Sequence, residues 1–247
     1  MRKLRDVFYI NSFPQNNELV YYGLEFKEFI KFIPTELDNI LLLKSGYYGT
    51  EYSSKYNFET IKKEEMQEFV KENIDGYGDF CWIDFDSLDN VDSLKSEEVA
   101  ELLYLGHMFS PVKSPFFEKL QNRYAYLAHD DGWFCRLYCR NFNDFGEVIA
   151  NKVVSMTSTS KRRKIYTMND KLKSQLLSMA EDGLLIDFNN ILRYERSIEI
   201  PIYKIGMFIN MDDMYNDLKR HIERARYSAK LVHKNKGWTI EYVQERN

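Results

Sequence analysis

The chain has 247 residues and a formal net charge of −4; 44% of it is apolar, 29% charged and 15% aromatic. That balance excludes a disordered or collagen-like chain. No apolar run approaches the roughly 20 residues with which a helix crosses a bilayer, so no membrane-spanning helix is expected.

The start, MRKLRDVFYINSF, is basic, but its apolar part is only Val7 to Ile10. The core of a signal peptide needs about 7–15 apolar residues. Asp6 to Ile10 and Leu19 to Tyr22 read as short strands. Phe26, Phe29, Ile30 and Ile33 recur at helical spacing until Pro34 stops them, and Ile40 to Leu43 is a buried strand. The stretch ETIKKEEMQEFVKENIDG, 59 to 76, reads as an amphipathic helix. DFCWIDF is a strand, and SLKSEEVAELLYLGHM the next helix, with Glu97 and Glu98 at its positive end. SPFFEKL reads as a short helix capped by Ser114.

Next comes YAYLAHDDGWFCRLYC, in which Asp131-Gly132 is a hairpin signal, because a tight turn needs positive φ that Gly adopts freely. Either short loop gives the same faces. Tyr124, Tyr126, Ala128, Trp133, Cys135, Leu137 and Cys139 form an apolar core face. Arg123, Ala125, Leu127, His129, Phe134, Arg136, Tyr138 and Arg140 form a half-basic face toward solvent or a groove.

Two helices follow, DFGEVIANKVVSM and NDKLKSQLLSMAEDG, split by the polar run TSTSKRRK. Then come strands LLIDF and SIEIPIYKI, a long C-terminal helix from about Asp212 to His233, and a last strand WTIEYV. Helices and strands mix without strict alternation. The expected fold is α+β: a mixed or antiparallel sheet with a central hairpin at about 123–140, packed by several helices. One domain over 1–247 is expected, with 155–168 as the candidate sub-domain boundary.

Cys81, Cys135 and Cys139 cannot all pair. Along one strand Cys135 and Cys139 stand about 13 Å apart, too far for a disulfide. A reducing cytoplasm is the expected home. The richness in Lys, Asn, Ile and Tyr is that of AT-rich bacterial and phage genomes.

The candidate chemistry is thin. Asp84 and Asp86 end a strand two residues apart, a spacing that suits a divalent cation, although Asp also ends strands and caps helices for its own reasons. His129 and Asp130 at the hairpin tip could supply an acid or base, although turn chemistry alone explains them. The four histidines are scattered, with neither a His-Glu-x-x-His nor a Cys-x-x-Cys pattern, so a zinc site has no support. No cofactor is expected beyond that divalent cation.

Charge is uneven: the first 120 residues hold 13 Lys and Arg against 22 Asp and Glu, and the rest 21 against 16. Arg136, Arg140, Lys161, Arg162, Arg163, Lys164, Arg220, Arg224 and Lys230 are the cations that could meet an anion or nucleic acid.

Three functions follow, in order. The first is a cytoplasmic binding or regulatory protein acting on a protein or anionic partner, because no nucleophile, base and orienting group assemble in the sequence. The second is a metal-dependent hydrolase or nuclease using Asp84, Asp86, His129 and Asp130. The third is a nucleic-acid-binding regulator using the basic C-terminal half.

Overall fold

The computed structural model describes residues 6–44, 51–53, 58–71, 79–129, 134–158, 166–208, 211–225, 228–235 and 237–243. The strands are β1 (Val7–Phe13), β2 (Glu18–Tyr22), β3 (Asn39–Lys44), β4 (Glu51–Ser53), β5 (Phe58–Ile61), β6 (Phe80–Phe85), β7 (Tyr124–His129), β8 (Phe134–Cys139), β9 (Leu184–Asp187), β10 (Leu192–Arg193), β11 (Ser197–Lys204), β12 (Ser228–Lys234) and β13 (Gly237–Tyr242). The helices are α1 (Phe26–Phe32), α2 (Met66–Phe69), α3 (Leu88–Asp92), α4 (Ser96–Met108), α5 (Asn143–Thr157), α6 (Asp170–Ala180), α7 (Met211–Asn216) and α8 (Leu218–Glu223).

All strands join one antiparallel sheet in the order β13-β12-β11-β9-β1-β2-β8-β7-β6-β3-β5-β4, with β10 beside β11. The fold is therefore α+β and mostly sheet. No helix among the described residues is long and apolar enough to cross a membrane.

The period-two alternation of the strands gives the sheet two faces, and both are covered. On the first face lies the large core. Phe8, Ile10, Tyr21, Trp82, Tyr126, Leu137, Ile186 and Ile200 pack there against α1, α5 and α6. On the second face lie two smaller cores. One joins Leu41, Ile83, Leu127 and Tyr138 to Leu102 and Leu105 of α4; the other joins Val7, Tyr9 and Leu185 to Met214 of α7. Gly106 lets α4 sit close on β3, since a Cβ there would stand 2.7 Å from Leu43 Cβ.

β7 and β8 pair from Tyr124↔Cys139 to His129↔Phe134. Tyr124, Tyr126, Ala128, Cys135, Leu137 and Cys139 all lie in the large core. The turn Asp130–Trp133 falls outside the described residues. The opposite face differs from expectation. Ala125, Leu127 and Tyr138 are buried in the α4 core, and among the described side chains of this face the arginines reach its margin. A half-basic face can still be an inner face, because long Arg stems cover apolar surface while their heads reach out.

The C-terminal half holds the main correction. No long helix runs from Asp212 to His233. α8 ends at Glu223, and Ser228 to Lys234 forms β12. Ala229 and Val232 fit the helical period while Ala229 and Leu231 fit the strand period, so spacing alone could not decide. Pairing decides it: β12 matches β11 from Ser197↔Lys234 to Tyr203↔Ser228, which satisfies the backbone groups of both strands.

The expected helix at 59–76 starts later: Ile61 belongs to β5 opposite Ile40, and a 3-10 turn at Lys63–Glu65 leads into α2, while 72–76 lie outside the described residues. SPFFEKL is a run of turns rather than a helix. Ser114 Oγ accepts from Phe116 N at 3.1 Å in place of a helix cap.

Candidate binding surface

α4 and the loop that follows it carry four of the exposed large hydrophobic residues among those described. The helix turns Leu102, Leu105 and Gly106 onto the sheet. Its outward side is also apolar. Leu103 is 47% exposed, Tyr104 43% and Met108 52%, and Val112 just beyond the helix is 56% exposed. Ala100, Leu103, Tyr104, His107 and Met108 follow the i, i+3, i+4, i+7, i+8 spacing of a single stripe. A water-facing helix side normally carries charge, so an apolar stripe in that place departs from an ordinary solvated surface. Its flanks are charged: Glu101 pairs with Lys113 at 2.8 Å, and Glu98 with Lys119 at 2.7 Å.

The helix ends at Phe109, which adopts the left-handed conformation at φ 53. Gln121 has the same φ at the far end of the loop. For residues with a Cβ that conformation costs about 1–2 kcal/mol. The cost is met by a clamp. Asn122, fully buried, accepts from Phe117 N at 2.7 Å and donates to the carbonyls of Pro115 and Tyr124 at 2.9 and 3.3 Å.

The clamped loop forms one wall of a pocket of about 450 Å³. The other wall is the turn Gln15–Asn17 with Glu18 of β2, and Arg136 and Tyr138 of β8 line it as well. Arg136 Nη1 donates to Phe109 O at 2.9 Å, and its Nε lies 3.0 Å from Glu18 Oε1. The guanidinium thus ties the end of α4 to the sheet. Burial pushes the Tyr138 phenol up to about 12, with Glu18 adding to the shift and Arg136 opposing it, so the ring keeps its proton at neutral pH. Ser110, Lys113 and Ser114 complete a lining that can both donate and accept.

The other expected site residues are dispersed. Asp84 is buried at the end of β6 and accepts from Arg123 N at 2.8 Å, Tyr124 N at 2.7 Å and Arg123 Nε at 3.1 Å. Those donors occupy the lone pairs that a cation would need. Asp86 is exposed just past the strand; its carbonyl accepts from Asn39 Nδ2 at 2.8 Å. In the β6–β7 register Asp84 falls beside Tyr124. His129 lies five residues further along β7, about 17 Å away. The structure therefore does not bring Asp84 and His129 together. The His129 side chain and Asp130 lie outside the described residues. No group of three or more His, Cys, Asp or Glu among the described residues could hold a metal ion.

The cations divide too. Arg140 Nε donates to Asn122 O at 2.9 Å, and its guanidinium lies 5.3 Å from the Phe116 ring centre, behind the pocket loop. Lys230 pairs with Glu199 at 2.7 Å on the sheet, and Arg220 with Asp217 at 3.1 Å on α8; Arg224 is exposed just past α8. Lys161, Arg162, Arg163 and Lys164 lie outside the described residues.

The sequence reading missed α4 as a surface. The signal was present: ELLYLGHM is apolar on nearly every side, and a helix apolar all round is either buried or docked. Compared with protein-family models, with curated proteins and with solved structures, the chain matches none.

Proposed function

We propose that the protein acts by binding another protein, with α4 as its docking helix and the adjoining pocket as an anchor point. The outward stripe of Leu103, Tyr104 and Met108 carries this reading. A partner suited to it lays an apolar segment along α4 and sets an acidic side chain into the pocket. There Lys113, which pairs with Glu101, and Arg136, which pairs with Glu18, line the opening. The apolar stripe supplies affinity through desolvation, and the charged rim supplies register and discrimination.

The test compares wild type with Met108→Glu and Leu103→Glu as baits in extract from the protein's own cells. Both positions are exposed, so the melting temperature should hold to within a few degrees. A protein retained by wild type and lost from both variants supports the reading. Identical captures by all three baits, with folding intact, would sink it.

A second reading rests on the pocket alone: a small anionic ligand held by Arg136 and Lys113 without any protein partner. Such a ligand raises the melting temperature by mass action, and that rise would survive Met108→Glu.

A further inference from the structure

We propose that α4 pairs with α4 of a second copy of this chain, antiparallel and about a two-fold axis level with Leu102, the midpoint of the helix. The inference rests on α4 being a docking helix and concerns that helix alone, not the pocket. α4 runs 13 residues, from Ser96 to Met108. Its Ser96, Glu97, Ala100, Tyr104, His107 and Met108 are all exposed. At 3.6 residues per turn these positions share one side of the helix. Leu102, Leu105 and Gly106 lie on the other side, against the sheet. An axis at the midpoint overlaps the two helices over their full length, so residue 96 lies opposite 108, 97 opposite 107 and 100 opposite 104. A shift of one turn would leave the end of each helix uncovered.

In that register the outward side complements itself. Ala100 lies opposite Tyr104 of the partner subunit, and Ser96 opposite Met108 of the partner subunit. Each contact sets a small residue against a large one. The helix axes can then approach while the large side chains fill the space between them. Leu103, 47% exposed, sits one residue past the axis and meets Leu103 of the partner subunit.

Charge gives the direction. On this side of α4 the acid, Glu97, lies in the first turn and the base, His107, in the last. Antiparallel pairing sets Glu97 opposite His107 of the partner subunit. The flanking Glu101 has its own partner in Lys113 at 2.8 Å. A parallel pair would set each residue opposite its own copy, with carboxylate against carboxylate at Glu97 and two bulky side chains competing for one place at Tyr104 and at Met108. The helix macrodipoles also favour the antiparallel arrangement. An unrelated partner would not require one helix to match itself in size and charge, so the match points to a second copy. A helix of 13 residues is only about 20 Å long. The interface is therefore small, and the dimer should form only at high concentration.

Sedimentation equilibrium on the full chain tests this. Wild type should shift from the mass of one chain to that of two as concentration rises. His107→Glu sets a carboxylate opposite Glu97 of the partner subunit and should raise the concentration required by about tenfold. Adding Glu97→Lys restores opposite charges across the interface and should bring the transition back. Within one chain the two positions are about 15 Å apart along the helix, so the rescue can arise only between chains. Melting curves at low concentration confirm that the variants fold. A chain monomeric throughout overturns the proposal. So does a dimer that His107→Glu leaves unmoved, or one that Glu97→Lys fails to rescue, since its interface then lies elsewhere. The Met108→Glu bait keeps the two readings apart. A monomer whose captured protein is lost with Met108→Glu takes a different partner on α4, and only the self-pairing falls. A monomer with unchanged captures loses both.

Discussion

Arg123 grips Asp84 twice, through its backbone N–H at 2.8 Å and its Nε at 3.1 Å. With Tyr124 N also on Asp84 Oδ1, the carboxylate pins the start of β7 to the end of β6. Asp84→Ala leaves two backbone donors and a guanidinium without their acceptor in a buried place. The expected cost is about 3–5 kcal/mol. Asp84→Asn keeps one acceptor oxygen and should cost less. Urea titrations of the two variants check the order. Millimolar Mg²⁺ or Mn²⁺ should leave the wild-type midpoint unmoved, and a rise abolished by Asp84→Asn would instead restore the metal reading.

The same carboxyl gives a pH signature. Burial raises the Asp84 pKa above its ordinary value, and the contacts from Tyr124 and Arg123 only partly oppose it. The folded chain then holds this proton more tightly than the unfolded one. The group's contribution to stability is full below the ordinary carboxylate pKa and falls as pH rises through the raised value. Wild type should therefore lose stability relative to Asp84→Asn across that interval. Paired urea titrations over the acid range read the slope, and the opposite sign would show that the hydrogen bonds outweigh burial.

Gly106 should tolerate no side chain. A Cβ would stand 2.7 Å from Leu43 Cβ and 3.2 Å from the Leu43 backbone, so α4 must lift from β3. Gly106→Ala gains helix propensity but overpacks a closed contact. The net effect expected is a loss of about 1–2 kcal/mol. Thermal melts decide it, and a neutral result would mean that α4 rides more loosely on the sheet.

These particulars show what could be read in the sequence. The faces of β7 and β8 follow from strict alternation, and α1, α5 and α6 from the i, i+3, i+4 spacing of their apolar residues; each pattern is local. The sequence leaves β12 ambiguous because Ala229 with Val232 fits a helix and Ala229 with Leu231 a strand, and only the partner strand β11, with Pro201 opposite Lys230 and Glu199 paired to it, settles the choice. The candidate surface was hidden for another reason. Whether Leu103 or Leu102 of α4 faces the sheet is a matter of phase, and the phase is set by Gly106 meeting Leu43, a contact between distant segments. Asp84 carried a real signal for a special role, but sequence could not separate a cation ligand from an acceptor of backbone hydrogen bonds.

The pocket offers the last prediction, because Glu18 and Arg136 hold opposite ends of one balance. Their side chains are 12% and 30% exposed, so neither charge is fully hydrated. Arg136→Met removes the cation, strands the Glu18 carboxylate and frees the Phe109 carbonyl. Partial exposure moderates the loss, which should be about 2 kcal/mol. Glu18→Gln acts in reverse. It keeps an acceptor beside the guanidinium but removes the neutralising charge, so Arg136 faces the pocket without its carboxylate while Lys113 keeps Glu101. Inorganic phosphate, used as the probe, should then raise the melting temperature of Glu18→Gln more than that of wild type, and should not raise that of Arg136→Met. The contrast separates the pocket from general salt effects, which would lift all three alike. Equal shifts in the three proteins would remove Arg136 from any role in binding and leave it as the strut between α4 and the sheet.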